Sequence, residues 1–188
     1  FFTRDQLVVS GMLDGEEMFF IVNHWPSRSG GEKRSRPLRN AAADLTRSLA
    51  DSIMAINKEA KIVIMGDLND DPNNESVSKH LGAKKTIKET KKGDLFNADY
   101  TLFEQGIGSL AYRDQWNLFD QIIISDGLLS KDKSSYSFYK AFIFNAEFLK
   151  EQSGQYKGYP LRTHGGGVYK NGYSDHFPSY IYLIKEVE

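Results

Sequence analysis

Cysteine is absent from this chain of 188 residues. That excludes a disulfide framework, a thiolate metal site and a cysteine nucleophile, and it leaves the redox compartment open. An excess of one charge is also lacking. Lys and Arg number 24 against 25 Asp and Glu, a net charge of −1, which excludes a uniformly basic nucleic-acid coat while allowing local basic patches. No apolar run approaches the ~18 residues that read as a membrane-spanning helix. What is present is a hydrophobic fraction of 40% and an aromatic fraction of 13%, too much for a disordered segment. With no internal repeat and no low-complexity linker, residues 1–188 read as a single structural unit. The chain opens Phe1-Phe2-Thr3-Arg4, with neither Met nor a signal-like segment. It reads as a piece of a longer protein, so no compartment is assigned.

Patterning gives a layered α/β organisation. Leu7–Val9 and Met18–Val22 flank Asp14-Gly15, which predicts a hairpin closed by a type I′ turn. After a polar loop, Pro37 suits the first turn of a helix with Ser35 as a cap. Leu38, Ala42, Leu45, Leu49, Ile53 and Ile56 then recur as one helical face, running to about Glu59. Lys61–Met65 and Gln121–Ser125 read as buried strands, Phe138–Phe144 and Tyr180–Ile184 as further strands. Ser76–Leu81 and Ala146–Lys150 read as short helical pieces. Residues 83–109 carry little pattern, and residues 151–173 form a loop long enough to suggest a function of its own.

Four short stretches put polar groups at strand ends: Asn23-His24-Trp25-Pro26-Ser27, Gly66-Asp67-Leu68-Asn69-Asp70, Trp116-Asn117-Leu118-Phe119-Asp120 and Ser174-Asp175-His176-Phe177-Pro178. Ligands collect where such ends converge. Alternate residues leaving a strand point the same way. Asp67 and Asn69 can therefore offer a carboxylate for a hard cation and an amide for a phosphate oxygen. An Asx turn explains the same residues equally well. Asp175-His176 can be a metal ligand beside a general base, and His24 can be either a site residue or packing. Asp120 enters a buried strand and needs a partner, for which an imidazole would serve. His80 receives no role, and His164 in the long loop can touch substrate or simply reflect loop polarity.

Two segments are locally basic. Arg28, Lys33, Arg34, Arg36 and Arg39 stand against Glu32, and five lysines between Lys84 and Lys92 stand against Glu89. The first directly follows His24 and suits a phosphorylated ligand. The second reads as a solvated face.

Together and in order, NHWPS, GDLND, WNLFDQI and SDHFP resemble the endonuclease/exonuclease/phosphatase superfamily, whose members are deoxyribonuclease I-like. The resemblance spans roughly residues 7–184. It implies a four-layer αββα sandwich of two mixed sheets and a phosphoester hydrolase dependent on Mg²⁺ or Mn²⁺. Asp67 and Asn69 would orient water or metal and hold the scissile phosphate, and Asp175 would join Asp67 at the metal. His176, aligned by Asp120, would be the general base, and His24 would contact a phosphate oxygen. Arg28, Arg39, Trp116 and Arg162 are the expected substrate contacts, with DNA or RNA as the first substrate class. A phosphomonoester or a lipid or inositol phosphate is the second, and a non-catalytic binding domain the third alternative. One departure is serious. The family's N-terminal Asn-containing strand and its metal-binding Glu belong upstream of this segment, and Glu16, Glu17 and Glu32 do not replace that Glu. The chain is therefore expected to be the C-terminal two-thirds of a catalytic domain, nearly inactive alone. One sheet should be nearly complete and the other short of strands, with exposed edges open to self-association.

Overall fold

The computed structural model describes residues 4–186. Strands β1 (Leu7–Leu13) and β2 (Glu16–His24) form the expected hairpin. Asp14 and Gly15 take φ of 47° and 80°, the double positive φ of a type I′ turn. Helix α1 (Glu32–Ile56) and β3 (Lys61–Asp67) follow. Next come β4 (Ala83–Lys84), β5 (Leu95–Asn97), α2 (Tyr100–Glu104), the hairpin β6 (Leu110–Tyr112) and β7 (Gln115–Asn117), and β8 (Asp120–Ser125). The chain continues through β9 (Ser137–Ile143), a small hairpin β10 (His164–Gly165) and β11 (Val168–Tyr169), and β12 (Ser179–Ile184).

Six strands make one mixed sheet in the order β1-β2-β3-β8-β5-β4. β2 and β3 are parallel and joined through α1, the crossover a parallel pair requires. β9 and β12 pair antiparallel as a second sheet. Strand alternation divides the apolar residues between two cores. Ile21, Ile62, Ile64 and Ile123 pack towards α1. Met18, Val63, Ile122 and Ile124 pack towards the second sheet and its Ala141 and Ile181. Helix, large sheet and small sheet are thus stacked in an α/β sandwich of the expected class. Among the described residues the second sheet has only these two strands, and α1 is the only helix longer than five residues. Leu7, Val9 and Leu13 of β1 stay exposed with Val22 of β2.

Helix α1 departs from expectation in two ways. It begins at Glu32 behind Gly31, so Pro37 is the sixth helical residue and Ser35 lies inside, its hydroxyl donating to the Gly31 carbonyl at 2.9 Å. The inward face is also rotated, so that only Ala42, Leu49 and Ile53 of the expected face pack on the core. Ser35, Arg39, Ala42, Ala43, Thr46, Ala50 and Met54 are buried, while Leu38, Leu45 and Ile56 are exposed. The cause is what the helix covers. Thr46 Oγ1 lies 3.1 Å from Asn23 Oδ1, and Arg39 Nε lies 2.8 Å from Asp70 Oδ2. Polar groups under the functional loops require polar partners, and these outrank leucine burial. Elsewhere, Ser76–Leu81 reduces to one π-helical turn, Ser76–His80, and Ala146–Lys150 to a 3₁₀ turn, Glu147–Leu149. Residues 83–109 hold α2, which their weak pattern conceals.

Candidate active site

Strand register builds the site. His24 at the end of β2 pairs with Asp67 at the end of β3, and Asp67 pairs with Asp120 at the start of β8. The three side chains form one row on the inter-sheet face, continuing the alternation of Val63 and Met65 on β3 and of Ile124 and Ile122 on β8. Gly66 allows the strands to close here. Its φ is 136°, and a Cβ at this position would lie 1.9 Å from the Asn23 carbonyl oxygen. The loops are then laced together. Trp25 N–H donates to the Asp67 carbonyl at 2.9 Å, Leu68 N–H to the Phe119 carbonyl at 2.8 Å, and Phe177 N–H to the Ser109 carbonyl at 2.7 Å.

The lacing delivers His176 to the row. Its Nδ1 lies 2.7 Å from Asp120 Oδ2 and 4.0 Å from Asp67 Oδ2. His24 Nε2 approaches Asp67 Oδ2 from the other side at 3.5 Å. Burial works against the charged imidazolium of His176. The hydrogen bond and charge of Asp120, with the charges of Asp67 and Asp175, outweigh it and leave the pKa above the ordinary histidine value. Asp67 is held above the usual carboxylate range, first by burial and then by the charge of Asp120.

Asn69 takes a left-handed backbone, φ 53°. Its N–H donates to Asp67 Oδ1 at 2.8 Å, so the Asx turn is real. Its Nδ2 also donates to the Trp25 carbonyl at 3.0 Å, which directs the amide inwards. Asp70 and Asp71 anchor the loop from below. Asp71 Oδ1 accepts the Leu118 N–H at 2.8 Å. Asp70 meets Arg28 at 3.0 Å, Arg39 at 2.8 Å and the Ser76 hydroxyl at 2.7 Å.

This corrects one expected substrate contact. Arg39 is fully buried, so it presents no surface to a ligand and instead neutralises Asp70. Arg28 divides its guanidinium between Asp70, Asn74 and the Asn69 carbonyl, and remains partly exposed. Asp70→Ala leaves the Arg39 charge buried beside fewer acceptors. It is expected to cost about 3–5 kcal/mol, measured by urea unfolding.

The tryptophans separate. Trp25 is buried under the site, with Nε1 donating to Asn23 Oδ1 at 3.1 Å. Trp116, 41% exposed, stacks on Phe177 at 6.1 Å between centroids and meets Tyr159 edge-on at 5.7 Å. It thus stands one residue from His176. On the other flank, Arg162 lies 4.0 Å from Asp175. With Thr163, His164, Tyr173 and Ser174 they line a polar cleft of about 340 Å³. A larger cleft of about 580 Å³ between β5, α2 and β9 is lined mainly by apolar groups such as Phe96 and Phe138, with Lys85 and Lys140 at its rim. It holds no acid–base pair.

The donor set for a metal is open rather than caged. Among the described residues no three His, Asp or Glu converge as a complete metal-binding group. Asp67 and Asp175 flank His176, and Asp67 is crowded by the negative charge of Asp120. Mg²⁺ is held by one or two carboxylates with water and substrate phosphate, and Asp67 and Asp175 supply that donor chemistry. Sequence reasoning passed over Asp70, Gln121 and Asp99. Gln121 is buried, with Nε2 donating to the Asp70 carbonyl at 2.6 Å. Asp99, two residues past the short strand β5, carries a weaker form of the Asp120 signal, a carboxylate beside apolar strand residues.

Solved structures share this arrangement of strands. Truncated Caenorhabditis elegans TDP2 superposes with a TM-score of 0.58 at 16% identity, over 96% of this chain and 60% of that one. D. rerio TDP2, determined with a single-strand DNA product, gives 0.53 at 12% identity over 95% and 60%. The mannosyl-6-phosphatase of Bacteroides thetaiotaomicron gives 0.52 at 15% identity over 91% and 52%. The chain spans between about half and three-fifths of the length of these structures, and at such identities the likeness is one of fold. No curated protein matches the sequence. The sequence profile for the endonuclease/exonuclease/phosphatase family matches residues 1–185, taking in all four motif stretches that meet around Asp67, and the chain belongs to that family.

Proposed function

We propose that this chain carries the acid–base machinery of a divalent-metal-dependent phosphoester hydrolase, a phosphodiesterase acting on nucleic acid. The observation that carries this reading is the His176–Asp120 pair at 2.7 Å with Asp67 set between it and His24. Asp120 holds Nδ1 of the ring, which leaves Nε2 to take a proton from water as that water forms the new P–O bond and the opposite P–O bond breaks, the leaving oxygen taking a proton from solvent. The charge of Asp120 then balances the imidazolium. His24 donates to a phosphate oxygen. The amide nitrogen of Asn69 has two hydrogens, one engaged by Trp25 and one free for a second oxygen. A Mg²⁺ or Mn²⁺ ion, held by Asp67 and Asp175, would neutralise charge on the phosphate.

Trp116 offers a ring face to a base or sugar beside the reacting phosphate, and Arg162 and the exposed part of Arg28 offer cations to neighbouring phosphates. The single-strand DNA held by D. rerio TDP2 supports this substrate class. The polar cleft at Arg162 favours a second reading, a phosphomonoester of sugar size, in keeping with the name of the mannosyl-6-phosphatase neighbour. Cleavage of single-stranded DNA, plasmid DNA, an inositol phosphate and a choline phosphodiester should be measured on the protein that carries this chain. DNA cleavage abolished by EDTA, restored by Mg²⁺ or Mn²⁺ and weakened steeply by salt is the expected result. Turnover confined to monoesters supports the second reading. DNA binding without cleavage at saturating metal overturns the enzymatic one.

A further inference from the structure

Asp99 stands at the start of α2, a position where aspartate ordinarily caps the helix. Its side chain makes no capping bond. The carboxylate turns instead into the space between the sheets, where the residue is fully buried. Oδ2 accepts the Ile122 N–H at 2.7 Å, and Oδ1 accepts the Ser179 hydroxyl at 3.0 Å. These partners belong to the two elements that carry the acid–base pair. Ile122 is two residues beyond Asp120 on the same face of β8. Ser179 opens β12 three residues after His176. The ladder between β5 and β8 ends where the Ala98 N–H donates to the Ile122 carbonyl at 3.0 Å, and the Asp99 carboxylate takes the next rung. A buried carboxylate is costly to desolvate, and a helix cap in solvent would have avoided that cost.

We propose that Asp99 is a positioning residue that ties β8 to the start of β12 and so fixes the distance between Asp120 and His176. This rests on the phosphoester hydrolase reading for its consequence in turnover, but not for its consequence in structure. Burial raises the Asp99 pKa to about 7, and the charge of Asp120 adds to the rise. Such a shift marks a group whose placement works against its own ionisation.

Asp99→Ala, Ser179→Ala and Ser179→Thr in the protein that carries this chain test the brace. Small displacements of catalytic groups can cost about 10²-fold. Asp99→Ala is therefore expected to lower kcat by about 10–100-fold with KM nearly unchanged, and Ser179→Ala by about threefold. Ser179→Thr, which keeps the hydroxyl, should restore kcat. The second readout needs no turnover. The ring N–H proton that His176 shares with Asp120, assigned in the proton NMR spectrum by its loss in His176→Gln, should broaden or disappear in Asp99→Ala and Ser179→Ala and persist in Ser179→Thr. Wild-type kcat together with an unaltered proton signal in Ser179→Ala, a single-bond change that spares the buried carboxylate, overturns the proposal. A wild-type protein without phosphoesterase activity overturns the hydrolase reading instead, and the proton signal still decides the brace.

Discussion

Asp67→Asn is expected to lower kcat by about 10³-fold without destabilising the protein. Asp67 is the middle of the row, with an imidazole on each side at 3.5 and 4.0 Å and the Asn69 N–H on its other oxygen at 2.8 Å. An amide oxygen can still accept that N–H, so the loop keeps its shape. What disappears is the negative charge set between the two histidines. Stability should move the opposite way. The Asp67 pKa is raised by burial and by Asp120, so at neutral pH the folded state bears an ionised group that the unfolded chain solvates better. The cost is absent well below the ordinary carboxylate pKa. It grows as pH rises through the window between the unfolded and folded values. The asparagine variant escapes it and should melt at the same temperature or higher at pH 7, a trade of stability for function. Steady-state kinetics and thermal melts of the two proteins side by side check both halves. A kcat within tenfold of wild type would remove Asp67 from the centre of the chemistry.

Gly66→Ala has the larger structural effect. The Cβ it introduces would lie 1.9 Å from the Asn23 carbonyl oxygen and 2.8 Å from the carbonyl carbon, both backbone atoms of the paired strand. Nothing flexible can give way, and the φ of 136° is itself foreign to an L side chain. Either β2 and β3 separate or the end of β3 rotates, and both movements break the pairing of His24 with Asp67. The expected loss is about 4 kcal/mol or more, read by chemical denaturation or as loss of soluble protein. Gly11→Ala is the control. It sits in β1 with open space around it and should shift stability by about 0.5 kcal/mol at most.

The convergence of His24, Asp67, Asp120 and His176 at the candidate site was legible because these residues sit where backbone periodicity meets an abrupt change to polar side chains. An apolar run ending in Gly-Asp-Leu-Asn, and an aspartate entering QIIIS, mark strand ends whatever the tertiary structure. The hairpin at Asp14-Gly15 was legible for a similar reason, since local backbone preference alone decides it. Helix α1 was readable in existence and only partly in facing: Ala42, Leu49 and Ile53 of the expected face pack on the core, whereas Leu38, Leu45 and Ile56 do not. Its leucine spacing points one way, whereas the polar residues that must cover Asn23 and Asp70 point another, and that demand arises only after distant strands are assembled. Arg39 belongs to the same class. A basic residue near a candidate phosphate site reads as a ligand contact until the fold shows an acid buried beneath it. Asp99 and Ser179, 80 positions apart, form a contact that no spacing rule anticipates.

The separate fates of the two tryptophans have a practical consequence. Trp25 is sealed beneath the row, while Trp116 is 41% exposed and stacks on Phe177, the residue after His176. Their fluorescence should therefore divide into a shielded component, insensitive to acrylamide and reporting global unfolding, and a quenchable one reporting the mouth of the cleft. Under the proposed function, binding of an oligonucleotide or a sugar phosphate should change the second component and leave the first unmoved, with no label attached and no catalysis required.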